Sequence, residues 1–302
     1  MNLKNIHLLL VVICISSISC KTAQKISVDP AKVSWIHGAD DCTKNADPLI
    51  QTVQFNYNTW IFRQNKCVNY EAPFLFLFLG KEKVLLMDTG ATGEEAQFPL
   101  YKTVQSIIEP WEKSIHHKTK LIVAHTHAHG DHTAGDMQFK GKPNTTVIGL
   151  DTNNVKSFFK IVQWPSEIAR LNLGNRTIEV IPIPGHEKSS IAIYDHETKV
   201  LLTGDSFYPG RLYVRDWAAY KSSIQRLTEF TQTHPVSYLL GNHIEMMNKP
   251  GKDYPTGTTD QPDEHILPLS VSDLKLLNES LKRIGDVPAH EIHDDFIIVP
   301  KN

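Results

Sequence analysis

The sequence predicts a mixed α/β domain in which two β-sheets pack face to face with helices outside. Three observations predict it. Apolar runs of strand length come in two blocks, and helical periodicity follows each block. No low-complexity linker divides the chain after residue 31. The 302 residues, 41% of them apolar and 21% charged, are enough for a substantial core in one large domain or two small ones.

The N-terminus stands apart. "MNLKNIH" carries Lys4, and the apolar "LLLVVICISSIS" that follows has the character of a secretory signal. It is shorter than the roughly 20 residues a membrane-spanning helix needs. "SISC" resembles a bacterial lipoprotein box, with Ser17 where Leu or Val is usual. The expected organisation is a signal peptide over 1–19, a lipid-anchor cysteine (Cys20) and tether over 20–31, and a catalytic-size domain over 32–302. The expected location is the periplasm or cell surface, with membrane contact only through a lipid on Cys20. The alternative is an ordinary cleaved signal. Cys42 and Cys67 are the two cysteines of the mature body, and they either pair in an oxidising compartment or stand as separate buried thiols.

"FLFLFLG" (74–80) and "KVLLMDTG" (83–90) predict a buried hairpin. Leu100, Val104, Ile107 and Ile108 fall at helical spacing, with Pro110 expected to end the helix. "KLIVAHTH" (120–127) and "TTVIGL" (145–150) read as strands. "TIEVIPIPGH" (177–186) and "SIAIYDHETKVLLTGD" (190–205) form the second strand block, with a turn at "DHET". Trp217, Tyr220, Ile224, Leu227 and Phe230 mark an amphipathic helix. "SYLLGNH" (237–243) is a strand, Leu274, Leu277, Leu281 and Ile284 mark a last helix, and "FIIV" (296–299) closes the chain. Residues 246–268 lack periodicity and are rich in Pro, Gly and Thr, so they form either a cover for a pocket or a plain surface loop.

A formal net charge of −2 supplies no basic footprint, so no nucleic-acid partner is expected. The chemistry lies where the strands stop. "AHTHAHGDHTAG" (124–135) crowds His125, His127, His129, Asp131 and His132 together. Other apolar runs end at Asp88, His186, Asp205 and His243, usually beside glycine. Alternation along an extended chain turns His127 and His129 the same way, and Gly130 lets the chain bend before Asp131 and His132. Neutral imidazoles and carboxylates suit zinc; iron and manganese accept the same donors. His125 reads instead as a hydrogen-bonded core histidine, and the remaining histidines as surface or structural residues.

The spacing His127-x-His129-x-Asp131-His132, with Asp88 before it and His186, Asp205 and His243 after it, resembles the signature of the metallo-β-lactamase superfamily over about residues 70–245. The resemblance implies an αββα sandwich with a dinuclear metal site on one edge. It implies that His127, His129 and His186 hold one divalent ion and that Asp131, His132 and His243 hold a second. Asp205 would bridge the two, and Asp88 would orient a ligand histidine. The implied chemistry is hydrolysis by a metal-bound hydroxide, with Asp131 shuttling the proton. After Asp205, "SFYPGRLYVRDW" offers Tyr208 as a donor to an oxyanion, and Arg211 and Arg215 as partners for a substrate carboxylate or for Asp216 and Glu229.

The family hosts β-lactamases, thioesterases, lactonases, sulfatases, phosphodiesterases and nucleases, and the fold does not choose among them. An aspartate at 205, where one class of β-lactamases carries cysteine, resembles the esterase, lactonase and thioesterase branches. Export argues against cytosolic thioesters and RNA processing. The expected substrate is therefore a small ester, lactone or related carbonyl compound. The alternatives are a β-lactam amide and, in a different class, a lipoprotein that binds metal or ligand without turnover.

Overall fold

The computed structural model describes residues 28–301; the expected signal peptide and Cys20 lie outside them. Two six-stranded sheets form the centre. The first holds, in order, β1 (Ile50–Asn56), β2 (Thr59–Gln64), β3 (Phe74–Leu79), β4 (Lys83–Met87), β5 (Lys120–Ala124) and β6 (Thr145–Val147). Helix α1 (Leu100–Ile115) makes the crossover that parallel β4 and β5 require, and the one-turn helix α2 (Gly130–Thr133) and α3 (Thr152–Phe159) flank β6.

The second sheet is built from β7 (Ala169–Asn172), β8 (Thr177–Pro182), β9 (Ile191–Asp195) and β10 (Val200–Gly204). After β11 (Arg211–Val214), α4 (Trp217–Thr233) crosses over to β12 (Tyr238–Gly241), parallel to β10, and β13 (Pro268–Leu269) takes the edge. Helix α5 (Val271–Ile284) follows, and β14 (Glu291–Ile292) and β15 (Ile297–Pro300) join β11 in a small third sheet.

The continuous apolar strands are explained by burial on both faces. In β3, Phe74, Phe76 and Phe78 point between the sheets, against residues such as Val180, Ile193 and Leu202. Leu75, Leu77 and Leu79 point the other way, onto Leu100, Val104 and Ile108 of α1. The outer face of the second sheet is covered by α4 and α5 through Tyr220, Ile224, Leu274 and Leu277. The layers are therefore helix, sheet, sheet, helix, as expected.

Three differences from the sequence reading have physical causes. Helix α1 runs through Pro110 to Ile115. A proline there removes one hydrogen bond on an exposed face, and Trp111 pins the following turn by donating from Nε1 to Gly80 O at 2.9 Å. Strand β5 stops at Ala124, before the histidines. β1, β2 and β7 carry mixed polar and apolar residues and so gave no apolar run; β11, expected at the rim of a site, is a strand paired with β15. Cys42 and Cys67 form a disulfide.

One buried ion pair ties the two sheets at the end opposite to the histidines. Arg176, just before β8, donates through Nε and Nη2 to Asp195 at 3.0 and 2.7 Å. The same guanidinium crosses to the first sheet, donating to Asn58 O at 2.7 Å and to Thr59 Oγ1 at 2.7 Å. Both charged side chains are sealed from solvent, so removing one strands the other. Arg176→Ala is expected to cost about 3–5 kcal/mol of unfolding free energy in urea titrations, with part of the loss recovered when Asp195→Ala is added.

Candidate metal centre

The site forms where parallel strands end together. Met87 pairs with Ala124 at the ends of β4 and β5, and Gly204 pairs with Gly241 at the ends of β10 and β12. Asp88, the 125–132 segment, Asp205 and His243 therefore leave the sheets at one shared edge, and His186 joins them from the loop after β8. Glycine is required at two of these exits. Gly204 has φ +56°, and a Cβ there would sit 2.8 Å from Thr126 Cβ. Gly185, before His186, has φ +144°, and its Cβ would meet Tyr220 Cα at 2.4 Å.

The structure brings together all seven residues expected as ligands. His127, His129 and His186 form one group, and Asp131, His132, Asp205 and His243 another; within each group the donor atoms lie within 4.8 Å of one another. In the first, His129 Nδ1 is 2.9 Å from His127 Nε2 and 3.1 Å from His186 Nε2. In the second, His132 Nε2 is 3.3 Å from His243 Nε2 and 3.3 Å from Asp131 Oδ2. Asp205 stands between the groups: Oδ2 is 3.5 Å from His132 and 3.9 Å from both His127 and His186, while Oδ1 is 3.4 Å from His243.

Each buried imidazole is oriented from behind. The His186 and His243 Nδ1–H groups donate to Tyr213 O at 2.8 Å and Glu71 O at 2.9 Å, which leaves each Nε2 facing the centre. His132 Nδ1 lies 3.3 Å from Asp88 Oδ2. Thr126 Oγ1 donates to Asp88 at 3.0 Å and so accepts from His127 Nδ1 at 3.2 Å. Asp88 is held by Thr126 N and Asn242 Nδ2 at 2.8 and 2.7 Å, and it sits at φ +68°, a left-handed conformation that costs an aspartate about 1 kcal/mol or more. Thr126, Asn242 and Glu71 escaped the sequence reading, as did the orienting role of Tyr213, a residue expected only at the rim. For Glu71 and Tyr213 the acceptor is the backbone carbonyl, which no side-chain pattern reveals.

The electrostatics separate the two groups. Burial, then the neighbouring His132, hold His127 far below the usual imidazole range, and burial also lowers His186 and His129. Burial opposes charge on His132 and His243 too, but Asp205 with Asp88 or Asp131 outweighs it, raising His132 well above its usual value and His243 to about 9. Burial would raise Asp131 and Asp205; the imidazoles of His132 and His243 instead hold both carboxylates well below their usual range.

These donors fit divalent cations. A proton on His129 Nδ1 can serve one of its two imidazole neighbours, not both, and Asp205 Oδ1 is buried without a hydrogen-bond partner among the described residues. A cation in each group would satisfy every such lone pair at once. A family description, "Metallo-beta-lactamase superfamily", matches residues 72–241. The chain belongs to this superfamily. Its relatives include acyl-coenzyme A thioesterase MBLAC2 of Homo sapiens, 26% identical over 205 residues that cover 56% of this chain and 72% of the relative. A hydroxyacylglutathione hydrolase of Idiomarina loihiensis is 32% identical over 130 residues, 43% of this chain and 44% of that one. A DIM-1 metallo-β-lactamase structure shares the fold, with a TM-score of 0.50 at 15% identity over 80% of this chain and 100% of that one.

Around this metallo-β-lactamase-fold centre, the other expected residues take different places. His125 Nε2 bonds Asp136 at 2.8 Å, as a structural histidine. Tyr208 is buried, and its hydroxyl donates to Arg211 O at 2.7 Å with Glu245 3.1 Å away, so its proton is committed away from a substrate oxyanion. Arg211 pairs with Glu245 at 2.7 Å and Asp253 at 2.6 Å rather than with Asp216 or Glu229. Arg215 is exposed and lines, with His129, Asp131 and Asp205, a cleft of about 480 Å³. The 246–268 segment does pack beside the site: Pro255–Thr258 adjoin His243. Tyr208→Phe is therefore expected to lower stability by about 1 kcal/mol in thermal unfolding while leaving metal content unchanged.

Proposed function

We propose that this protein is a dinuclear metal-dependent hydrolase, with zinc as the natural occupant, acting on small ester, thioester or lactone carbonyls. The convergence of five imidazoles, four of them oriented from behind, and two carboxylates on adjoining centres carries this reading. Its thioesterase and hydroxyacylglutathione hydrolase relatives support the carbonyl substrate class. His127, His129 and His186 would hold one ion, Asp131, His132 and His243 the other, and Asp205 would reach both. When bound, such ions supply Lewis acidity, withdrawing charge from a carbonyl oxygen and acidifying water.

The chain's own residues do the rest. Asp131 is half-buried and lines the cleft, so its carboxylate is placed to accept a proton from water and return it to a leaving group. Asp88 fixes the His132 ring and, through Thr126, the His127 ring, so these two donors are held facing the centre. Arg215, exposed beside His129, offers a cation to an anionic part of the substrate outside the centre. The same reading places the protein outside the cytoplasm, anchored through Cys20, and the Cys42–Cys67 disulfide suits an oxidising compartment.

His127→Ala or Asp205→Ala is expected to abolish metal retention and to lower kcat/KM on a phenyl ester or thioester by at least about 10³-fold; a variant with full metal content and full activity would overturn the assignment. Elemental analysis and ester kinetics on the same preparation decide it. Metal uptake should also depend on pH. In the metal-free protein His243 holds its proton up to about pH 9, so an incoming cation must displace it. Apparent zinc affinity, measured by chelator competition between pH 6 and 9, should rise by about tenfold per pH unit for each displaced proton, with the His243 contribution levelling off above 9.

A further inference from the structure

Behind His243 lies a second, smaller space that the proposed hydrolysis does not use. It is a chamber of about 70 Å³, room for about two water molecules or one carboxylate. It joins the main cleft, because Glu71, Tyr213 and Glu245 line both. Pro255–Thr258 and Gln261 form one wall, and Lys66 lines the other. Gly38 fixes the distance between these walls: a Cβ there would meet Thr259 O at 1.9 Å and Lys66 Cβ at 2.8 Å. The Cys42–Cys67 disulfide anchors the residue next to Lys66.

Lys66 is 4% exposed, which is rare for a lysine without a counter-charge. Among the described residues, its ammonium donates to Tyr70 O at 2.9 Å and forms no ion pair within 4.0 Å. Glu71 lines the chamber without pairing with Lys66, and two further carboxylates are engaged elsewhere. Glu264 is bound by Arg63, and Glu245 by Arg211 Nη2 and the Arg211 amide, each at 2.7 Å. Arg211, the other cation in the lining, is itself spent on Glu245 and Asp253. Burial first, then Arg63, pull the Lys66 amine down to about 8 against the pull of Glu264, Glu245 and Glu71, as expected of an ammonium short of acceptors. A second group in the same wall is also short: Gln261 is 4% exposed, and its Oε1 has no hydrogen-bond partner among the described residues, so the amide turned end for end would present an N–H donor at that point at no cost in hydrogen bonds. A chamber lined by an under-satisfied donor and an unsatisfied amide, beside a candidate metal ligand, has the chemistry of a subsite for a small polar group.

We propose that the Lys66 chamber receives a carboxylate of the substrate, so that the preferred substrates are short acyl esters, thioesters or lactones carrying an acidic group a few bonds from the scissile carbonyl. This rests on the hydrolase reading and deepens it. The carboxylate accepts from the ammonium of Lys66. The small volume excludes long acyl chains, so the chamber selects for length as well as charge. Lys66 acts in binding and touches no reacting atom.

The test compares an acetate and a hemisuccinate ester of one phenol on zinc-loaded protein, with Lys66→Met and Lys66→Arg beside the parent. The parent should favour the hemisuccinate by about tenfold or more in kcat/KM, a difference of about 1.4 kcal/mol or more. Lys66→Met should bring that ratio toward one, chiefly through KM for the hemisuccinate, and Lys66→Arg should keep part of it. The ratio is internal to each preparation, so partial loss of folded protein cancels. A second measurement is independent of turnover: calorimetric titration of metal-free protein with succinate should show binding that weakens at least about tenfold in Lys66→Met. An unchanged ester ratio in Lys66→Met, or succinate binding indifferent to the substitution, would overturn the subsite; so would a parent that neither prefers the hemisuccinate nor binds succinate, which would leave the chamber to solvent. Absence of turnover of both esters would instead strike the hydrolase reading, and the titration would still decide the role of Lys66.

Discussion

The structure is organised around a contact that an isolated chain would avoid. Five imidazoles and two carboxylates present lone pairs to one another at about 3 to 4 Å, in a region largely closed to water. Nothing in their mutual interaction holds the all-imidazole group together. What holds four of the five rings is their other side: Thr126 for His127, the carbonyl of Tyr213 for His186, and in the second group Asp88 for His132 and the carbonyl of Glu71 for His243. These acceptors belong to sheet edges and adjoining loops. The unfavourable convergence at one edge is thus imposed by the packing of both sheets, and the Arg176–Asp195 pair helps to fix their relation at the far edge.

Asp88 carries more of this constraint than a single contact suggests. Its two oxygens take the Thr126 amide and hydroxyl, the Asn242 amide and the His132 ring. Asn242 also donates to Phe74 O, which couples the exit of β12 to the start of β3. One carboxylate therefore locks three strand ends from both sheets to the centre. Its left-handed backbone is the cost of aiming both oxygens inward directly after a strand.

Much of this was legible in the sequence because strands buried on both faces must be apolar throughout, and because residues that leave such strands at one edge come at intervals set by the strand-helix-strand unit. "FLFLFLG", "KVLLMDTG" and "VLLTGD" announce both the sheets and the places where Asp88 and Asp205 emerge. What was not legible depended on partners distant in sequence. β1 is the edge strand of its sheet and β2 its inner neighbour, and both carry polar residues that blur the pattern. Tyr208 looked like a free donor because it follows Asp205 by three residues; Glu245, 37 residues away, completes the network that engages its hydroxyl. Nothing in the local sequence singles out Lys66, and its burial follows from the disulfide and the 255–261 segment packing beside it.

The two ligand groups are chemically unlike, and that difference bears on how the proposed hydrolase would work. The first consists of imidazoles that burial keeps neutral, so it offers lone pairs without charge. The second contains two carboxylates and, without a metal, retains protons on His132 and His243 to offset them. On the proposed reading, a cation in the second group replaces those protons and leaves the local charge nearly balanced, whereas a cation in the first adds uncompensated positive charge except for what Asp205 supplies. Asp205 is therefore placed where the imbalance is greatest, reaching toward the neutral group with Oδ2 and toward the charged group with both oxygens. An asparagine at 205 would not offset that charge. The aspartate ties the two centres into one electrostatic unit open to the cleft.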